Sequence, residues 1–340
     1  MPTSTSTNHP SASWRERHPA LATALVCDGL LPWSTTFLPP GASLGDALRR
    51  FQNSGVDHLS LTAASGMDDH AAALARLGYL RRALQPYADW VRIVTDTASI
   101  RQAKAEGLLS VSFHFQTATP FASNLDLVDA FKGAGVMRAI LAYNEANVFA
   151  DGCHEPRNAG LSALGRRLID RMDSAGMVVD LSHCGERTSL DALDMALTRP
   201  PVFSHSNARA LFDHERNITD TQIRACARRG GYIGISGVGM FLGAAGDQLA
   251  RVMAQHVAHI AAIAGAGHVG LGLDFMFLEG SDYVFFVKGR ERWPRGYPDP
   301  PWSFLQPEQF GDLVDALVTQ GFNAAELTGI LGDNYLRLAC

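Results

Sequence analysis

The chain has 340 residues, 46% of them apolar and 19% charged, with a formal net charge of −5 at pH 7. That length is long for one ordinary core and normal for a single β/α barrel with insertions. The mildly acidic balance gives no footing for nucleic acid or an anionic membrane surface, which leaves a small-molecule substrate as the expected partner.

Residues 1–20 are polar and Ser/Thr-rich and read as a flexible arm; they lack the apolar core of a signal peptide. Residues 21–340 read as one domain. Strand patterns follow at 24–31, 56–62, 91–95, 108–116, 137–144, 177–183, 201–205, 232–236 and 268–275. Helical patterns fill the gaps at 44–53, 70–88, 100–106, 125–132, 161–174, 188–197, 219–229, 248–264 and 307–319, with a closing helix at 324–338. Several helices run into glycine before the next strand, at Lys132-Gly133, Ser174-Ala175-Gly176 and Arg229-Gly230-Gly231, the expected C-terminal stop. Such alternation predicts an α/β fold with a parallel sheet closed into a TIM (β/α)8 barrel, with nine strand candidates for eight places. The stretch 279–303, rich in Pro, Gly and aromatics, is too long for a plain βα loop and reads as a lid over the barrel mouth or as a homodimer contact. No run of about 18 apolar residues occurs, so no membrane span is expected.

In a barrel of parallel strands the polar residues at the carboxyl ends face substrate. Here they are Asp28, Gln116, Tyr143 with Asn144, His183, His205 and Asp274. His183 and His205 close two successive apolar runs, Val178-Val179-Asp180-Leu181-Ser182-His183 and Pro201-Val202-Phe203-Ser204-His205, so they are expected side by side. Paired imidazoles suit zinc, and a nearby carboxylate can complete the shell or move a proton to and from a bound water. His114, in phase with Gln116 along one strand, reads as a barrel-interior histidine bonded to a neighbour. His58, His154, His214, His256, His259 and His268 read as structural or solvated, and Gly237-Val238-Gly239 is too weak for a phosphate loop. The five cysteines, odd in number and without a CxxC pair, argue against a disulfide framework and for a reducing cytoplasm; Cys27 and Cys184 flank strand ends but read as small buried hydrophobes.

Several strings occur in an order that resembles the membrane (renal) dipeptidases, zinc peptidases with a TIM-barrel fold. They are Asp28-Gly29, Gly160-Leu161-Ser162, Val179-Asp180-Leu181-Ser182-His183, Phe203-Ser204-His205-Ser206, Arg216-Asn217, Gly272-Leu273-Asp274-Phe275 and Gly332-Asp333-Asn334-Tyr335-Leu336-Arg337. The resemblance implies two zinc ions bridged by a glutamate, a His-x-Asp pair on the first strand for one ion and two later histidines for the other. His183 and His205 match the later pair. Leu30 and Pro32 stand where the first-strand ligands belong, Gln116 stands for the bridging glutamate, and Tyr143 for a substrate-side histidine. Leucine and proline side chains cannot bind zinc, and a neutral amide bridges two cations poorly. The expected site therefore holds one zinc ion at most, on His183 and His205 with Gln116 or Asp274 as third ligand. By the same resemblance Arg216 holds a substrate carboxylate, as a guanidinium fork can, and Tyr143 and Asn144 touch substrate.

The resulting expectation is a metal-dependent hydrolase of a dipeptide or similar small amide, with Asp274 moving the proton. Its alternative is a dipeptidase-like chain that has lost peptidase activity and binds a small molecule, or performs a non-peptidase step in a biosynthetic or catabolic pathway, with little or no metal.

Overall fold

The computed structural model describes residues 13–33, 43–66, 68–277, 283–288 and 297–338. Among the described residues eight strands are formed: β1 (Cys27–Leu31), β2 (His58–Ala64), β3 (Val91–Ile93), β4 (Leu109–Phe115), β5 (Val136–Ile140), β6 (Val178–Asp180), β7 (Ile233–Ile235) and β8 (Val269–Leu271). All the pairings between them are parallel, in the order β1-β2-β4-β5-β6 and β7-β8. The seam between the two sheets is filled by the segment at 202–203, which bridges Asp180 to Val202 and Phe203 to Ile233, again in parallel. On the other side, the Asp274 N–H donates to the Leu30 carbonyl at 3.1 Å and brings β8 against β1. The chain forms a (β/α)8 barrel.

Of the nine strand candidates, the third, at 91–95, is the supernumerary one. β3 pairs with the first residues of β4, Leu109 to Val111, on the same edge where β5 takes Phe113 to Phe115. It therefore extends the sheet below the barrel without occupying a place in the ring.

The helix stops are only partly those expected. Gly176 ends the helix Ala163–Ala175 in the left-handed conformation at φ 71°, where a side chain would add strain. Gly133, in contrast, is the last residue of its helix, Leu127–Gly133, and the left-handed turn falls at Gly135. Part of the expected arm is also packed. Residues 1–12 lie outside the described residues, but Trp14 is buried, donates its indole N–H to the Ser54 carbonyl at 2.9 Å and packs edge-on against Phe310. Burying an indole with its N–H satisfied outweighs the polar composition around it.

The barrel interior is more polar than the branched apolar filling usual for this architecture. On β4 the residues Ser110, Ser112 and His114 share one face, and on β2 so do His58, Ser60 and Thr62. His58 is hydrogen-bonded by Ser110 and Ser112 at 2.9 and 3.1 Å, and His114 by Ser60 and Thr62 at 2.9 and 3.0 Å. Both imidazoles thus have both ring nitrogens satisfied. Burial, with the Arg138 charge adding to it, holds both neutral, His58 down at about 3.

Candidate active site

Two buried aspartates build the barrel mouth. Asp180, closing β6, accepts the backbone N–H of Ser182 and that of Ser204 on Oδ1, each at 3.1 Å, and takes the Arg138 Nε on Oδ2 at 2.9 Å. One carboxylate thereby aligns the strand ends that carry His183 and His205. Gly234 and Gly272 fit the same place from the other side, since a Cβ on either would collide with the Ser204 carbonyl oxygen. Asp28 on β1 does the corresponding work, with Oδ1 accepting from the Leu30 N–H at 3.1 Å and the Leu273 N–H at 2.8 Å.

His183 and His205 meet with their Nε2 atoms 2.9 Å apart. The Asn144 Oδ1 accepts from His183 Nδ1 at 2.7 Å, which leaves His183 Nε2 as a lone pair. His205 Nε2–H then donates to it, and the Ser204 hydroxyl donates to His205 Nδ1 at 2.7 Å. Burial, reinforced by the positive charge of Arg216, drives both imidazoles well below their ordinary pKa, so both are neutral. The Tyr143 ring stacks on His183 at 4.0 Å between centroids.

A cavity of about 340 Å³ opens over this mouth, with Gln116, Tyr143, Asn144, His183 and Asp274 on its wall. His205 reaches it only through His183. Asp274 is half-buried on the cavity wall, and desolvation pushes its carboxyl up to about 7 against the opposing pull of Arg216. Three of the four non-glycine residues with positive φ among the described residues belong to this site: Asn144 at 61°, His183 at 65° and Asp274 at 56°. Left-handed backbone at such residues costs energy and concentrates where side-chain direction matters for function.

Arg216 is not on that wall. It is buried, donates from Nη2 to the His205 carbonyl at 3.2 Å, lies 5.2 Å over the Phe241 ring, and lines a second, smaller cavity of about 250 Å³ beyond His183. Gln116 is spent in part on the interior, donating from Nε2 to Thr62 Oγ1 at 2.9 Å. Of the apolar wall, Trp302 belongs to the stretch 279–303 expected over the mouth, part of which lies outside the described residues, whereas Trp33, Met240, Phe241, Met276 and Phe304 were not legible in advance. Nor was His154, which pairs with Glu215 at 2.7 Å and holds the hydroxyl of the cavity residue Tyr297 at 3.2 Å. Its partners lie 61 and 143 residues away, so no local pattern announces them. Burial pushes the thiols of Cys153 and Cys184 up to about 12, away from the reactive thiolate form.

The donor set decides what cation the mouth would hold. Leu30 and Pro32 contribute no ligand atom, and among the described residues no three His, Cys, Asp or Glu side chains converge as a metal-binding group. A two-ion centre does not fit. The facing nitrogens of His183 and His205 fit a single cation, with one protein ligand fewer than a catalytic zinc ordinarily has.

Residues 48–339 match the membrane dipeptidase family, peptidase family M19, and the chain belongs to that family of hydrolases. It is 33% identical over 221 residues to an uncharacterized dipeptidase of Schizosaccharomyces pombe, a stretch that covers 64% of this chain and 49% of that protein. The chain thus spans about half the length of this curated relative. Among solved structures, an amidohydrolase from Pseudomonas aeruginosa is similar with a TM-score of 0.82 at 24% identity, over 94% of this chain and 96% of that one. A metallo peptidase from Rhodobacter sphaeroides, liganded with a phosphinate mimic of the dipeptide L-Ala-D-Ala, gives 0.74 at 19% identity, over 92% of this chain and 98% of that one. Among the described residues no helix is long and apolar enough to cross a membrane.

Proposed function

We propose that the protein is a hydrolase of a small amide, dipeptide-like in size, with one zinc ion at most and Asp274 as the group that moves the proton. The observation that carries this reading is the convergence of Asp274, Gln116, Asn144 and His183 on one cavity wall, with Asp274 poised to gain or lose a proton near neutrality. His183 and His205 would hold the zinc ion, which when bound supplies Lewis acidity toward an amide carbonyl and an acidified water. Asn144 fixes the His183 tautomer, Tyr143 covers its ring, and Gln116 offers a neutral polar group where the family pattern has an anion. Arg216 supplies the positive field in which Asp274 ionises; a carboxylate held by it would sit in the smaller cavity. Cys27, Cys153, Cys184 and Cys226 form no disulfide, which supports a cytoplasmic setting, and the domain is proposed to be the single barrel over 21–340.

The second reading, a family member without peptidase activity or metal, is favoured by one specific observation: Leu30 and Pro32 stand at the first-strand ligand positions, and among the described residues no three His, Cys, Asp or Glu side chains converge as a metal-binding group. Metal analysis of protein purified without added zinc separates the two, run beside hydrolysis assays on a panel of small amides. The hydrolase reading expects one equivalent of metal, slow turnover, and a loss of about two orders of magnitude or more in Asp274→Asn. No metal and no cleavage of any amide would overturn it in favour of the second. Restoring the pattern with Gln116→Glu, Leu30→His and Pro32→Asp together should raise the metal content toward two equivalents.

A further inference from the structure

The charges around the main cavity constrain what it can accept. Its upper wall is apolar, formed by Trp33, Met240, Phe241, Met276, Trp302 and Phe304, and Pro32 extends that surface down to a position where the family pattern has a ligand carboxylate. The charged residues among the described lining are few. Arg76 is tied to Asp68 at 3.1 Å, Glu145 is solvent-exposed, and Asp274 is the carboxyl close to the histidines.

A free dipeptide carries an ammonium and a carboxylate, and each must be paired or left in water, because burying an unpaired charge costs several kcal/mol, on the order of the whole binding energy of such a ligand. Pro32 and Gln116 place no anion on this wall for the ammonium, which leaves Asp274, the carboxyl that the hydrolase reading reserves for the proton. The guanidinium that would receive the carboxylate, Arg216, lines the other cavity. What the main cavity offers instead is a strip of neutral hydrogen-bonding groups, Gln116, Tyr143 and Asn144, facing a broad apolar wall. Cavities of this size and make-up take a compact apolar body oriented by a few polar contacts.

We infer that the main cavity takes an uncharged small amide with bulky apolar substituents, acylated at its amino end and without a free carboxylate, in preference to a zwitterionic dipeptide. The inference deepens the hydrolase reading by naming the substrate class, but its binding half stands without turnover.

The cavity carries its own reporters, Trp33 and Trp302. Titration of the full chain at neutral pH, followed by tryptophan fluorescence, would compare four matched probes: Leu-Phe, N-acetyl-Leu-Phe, Leu-Phe amide and N-acetyl-Leu-Phe amide. The doubly blocked probe is expected to bind at least about tenfold more tightly than Leu-Phe, a difference of about 1.4 kcal/mol, with the singly blocked probes between. Met276→Glu, which adds an anion to the wall, should narrow or reverse the gap between Leu-Phe amide and its acetylated form. Equal or tighter binding of Leu-Phe, or no response to any probe, would overturn the inference. Mass spectrometry of the same mixtures reads cleavage separately, so a ranking without products would sink the hydrolase reading and leave the binding preference standing.

Discussion

Asp28 and Asp180 hold equivalent places on two sides of the barrel mouth, each drawing two strand ends together through backbone N–H groups, yet their charges are treated differently. Asp180 is countered by Arg138 at 2.9 Å. Asp28 has no such contact: its Oδ2 is buried without a hydrogen-bond partner, and burial raises its carboxyl to about 7. The side that carries His183 and His205 is thus fixed by an ion pair. The side that carries Leu30 and Pro32 is held by a carboxyl with no cation in contact. Arg138 also donates from Nη2 to the Gly29 carbonyl, so the same side chain ties β1 to β6 across the interior. The comparison teaches that the side carrying His183 and His205 is aligned by a carboxylate paired with a cation, while the side carrying Leu30 and Pro32 is aligned by a carboxyl with no cation in contact.

The largest effect should come from cutting the tie between the two sides. Arg138→Met leaves the fully buried Asp180 charge uncompensated, which ordinarily costs about 3–5 kcal/mol; urea unfolding should show a loss of that order, and a change below about 1 kcal/mol would mean that Arg138 does not hold the mouth. The next effect is pH-dependent. Because the folded state binds a proton at Asp28 more tightly than the unfolded chain does, this group's stabilising contribution is complete in acid and is lost as pH rises from about 4 to about 7. Asp28→Asn keeps the Oδ1 acceptor and removes the titration. Wild-type stability relative to the variant should therefore fall across that window by a few kcal/mol, at about 1.4 kcal/mol per tenfold change in proton affinity. Parallel pH profiles of the two proteins would refute the role given to Asp28. The smallest effect concerns Gln116: Thr62→Val removes the hydroxyl shared by the Gln116 amide and His114, with an expected loss of about 1–3 kcal/mol. A thermal melt checks it, and an unchanged midpoint would show that Gln116 is oriented by something else.

Periodicity and strand-end chemistry made much of this legible. The apolar runs ending in His183 and His205 implied neighbouring ring positions because consecutive parallel strands present their carboxyl ends on one face, and the two imidazoles do meet. The same phase argument put His114 inside the barrel, where Ser60 and Thr62 satisfy it. Arg138 was silent, since its partners Asp180 and Gly29 lie 42 and 109 residues away and an arginine in an apolar strand carries no local mark of what it pairs with. The 91–95 segment reads as a strand like any other, and only its pairing low on β4 shows that it stands outside the ring.

The amino-acid sequence by itself determined the alternation of elements, the family and the neighbouring places of His183 and His205, because these depend on residue identity and short-range spacing. The tertiary structure alone decided which cavity Arg216 lines, which of the two buried aspartates has a counter-charge, and how the apolar wall over Asp274 is assembled. Those properties arise from side chains brought together across long loops, where desolvation and pairing set the energy and no sequence interval records them.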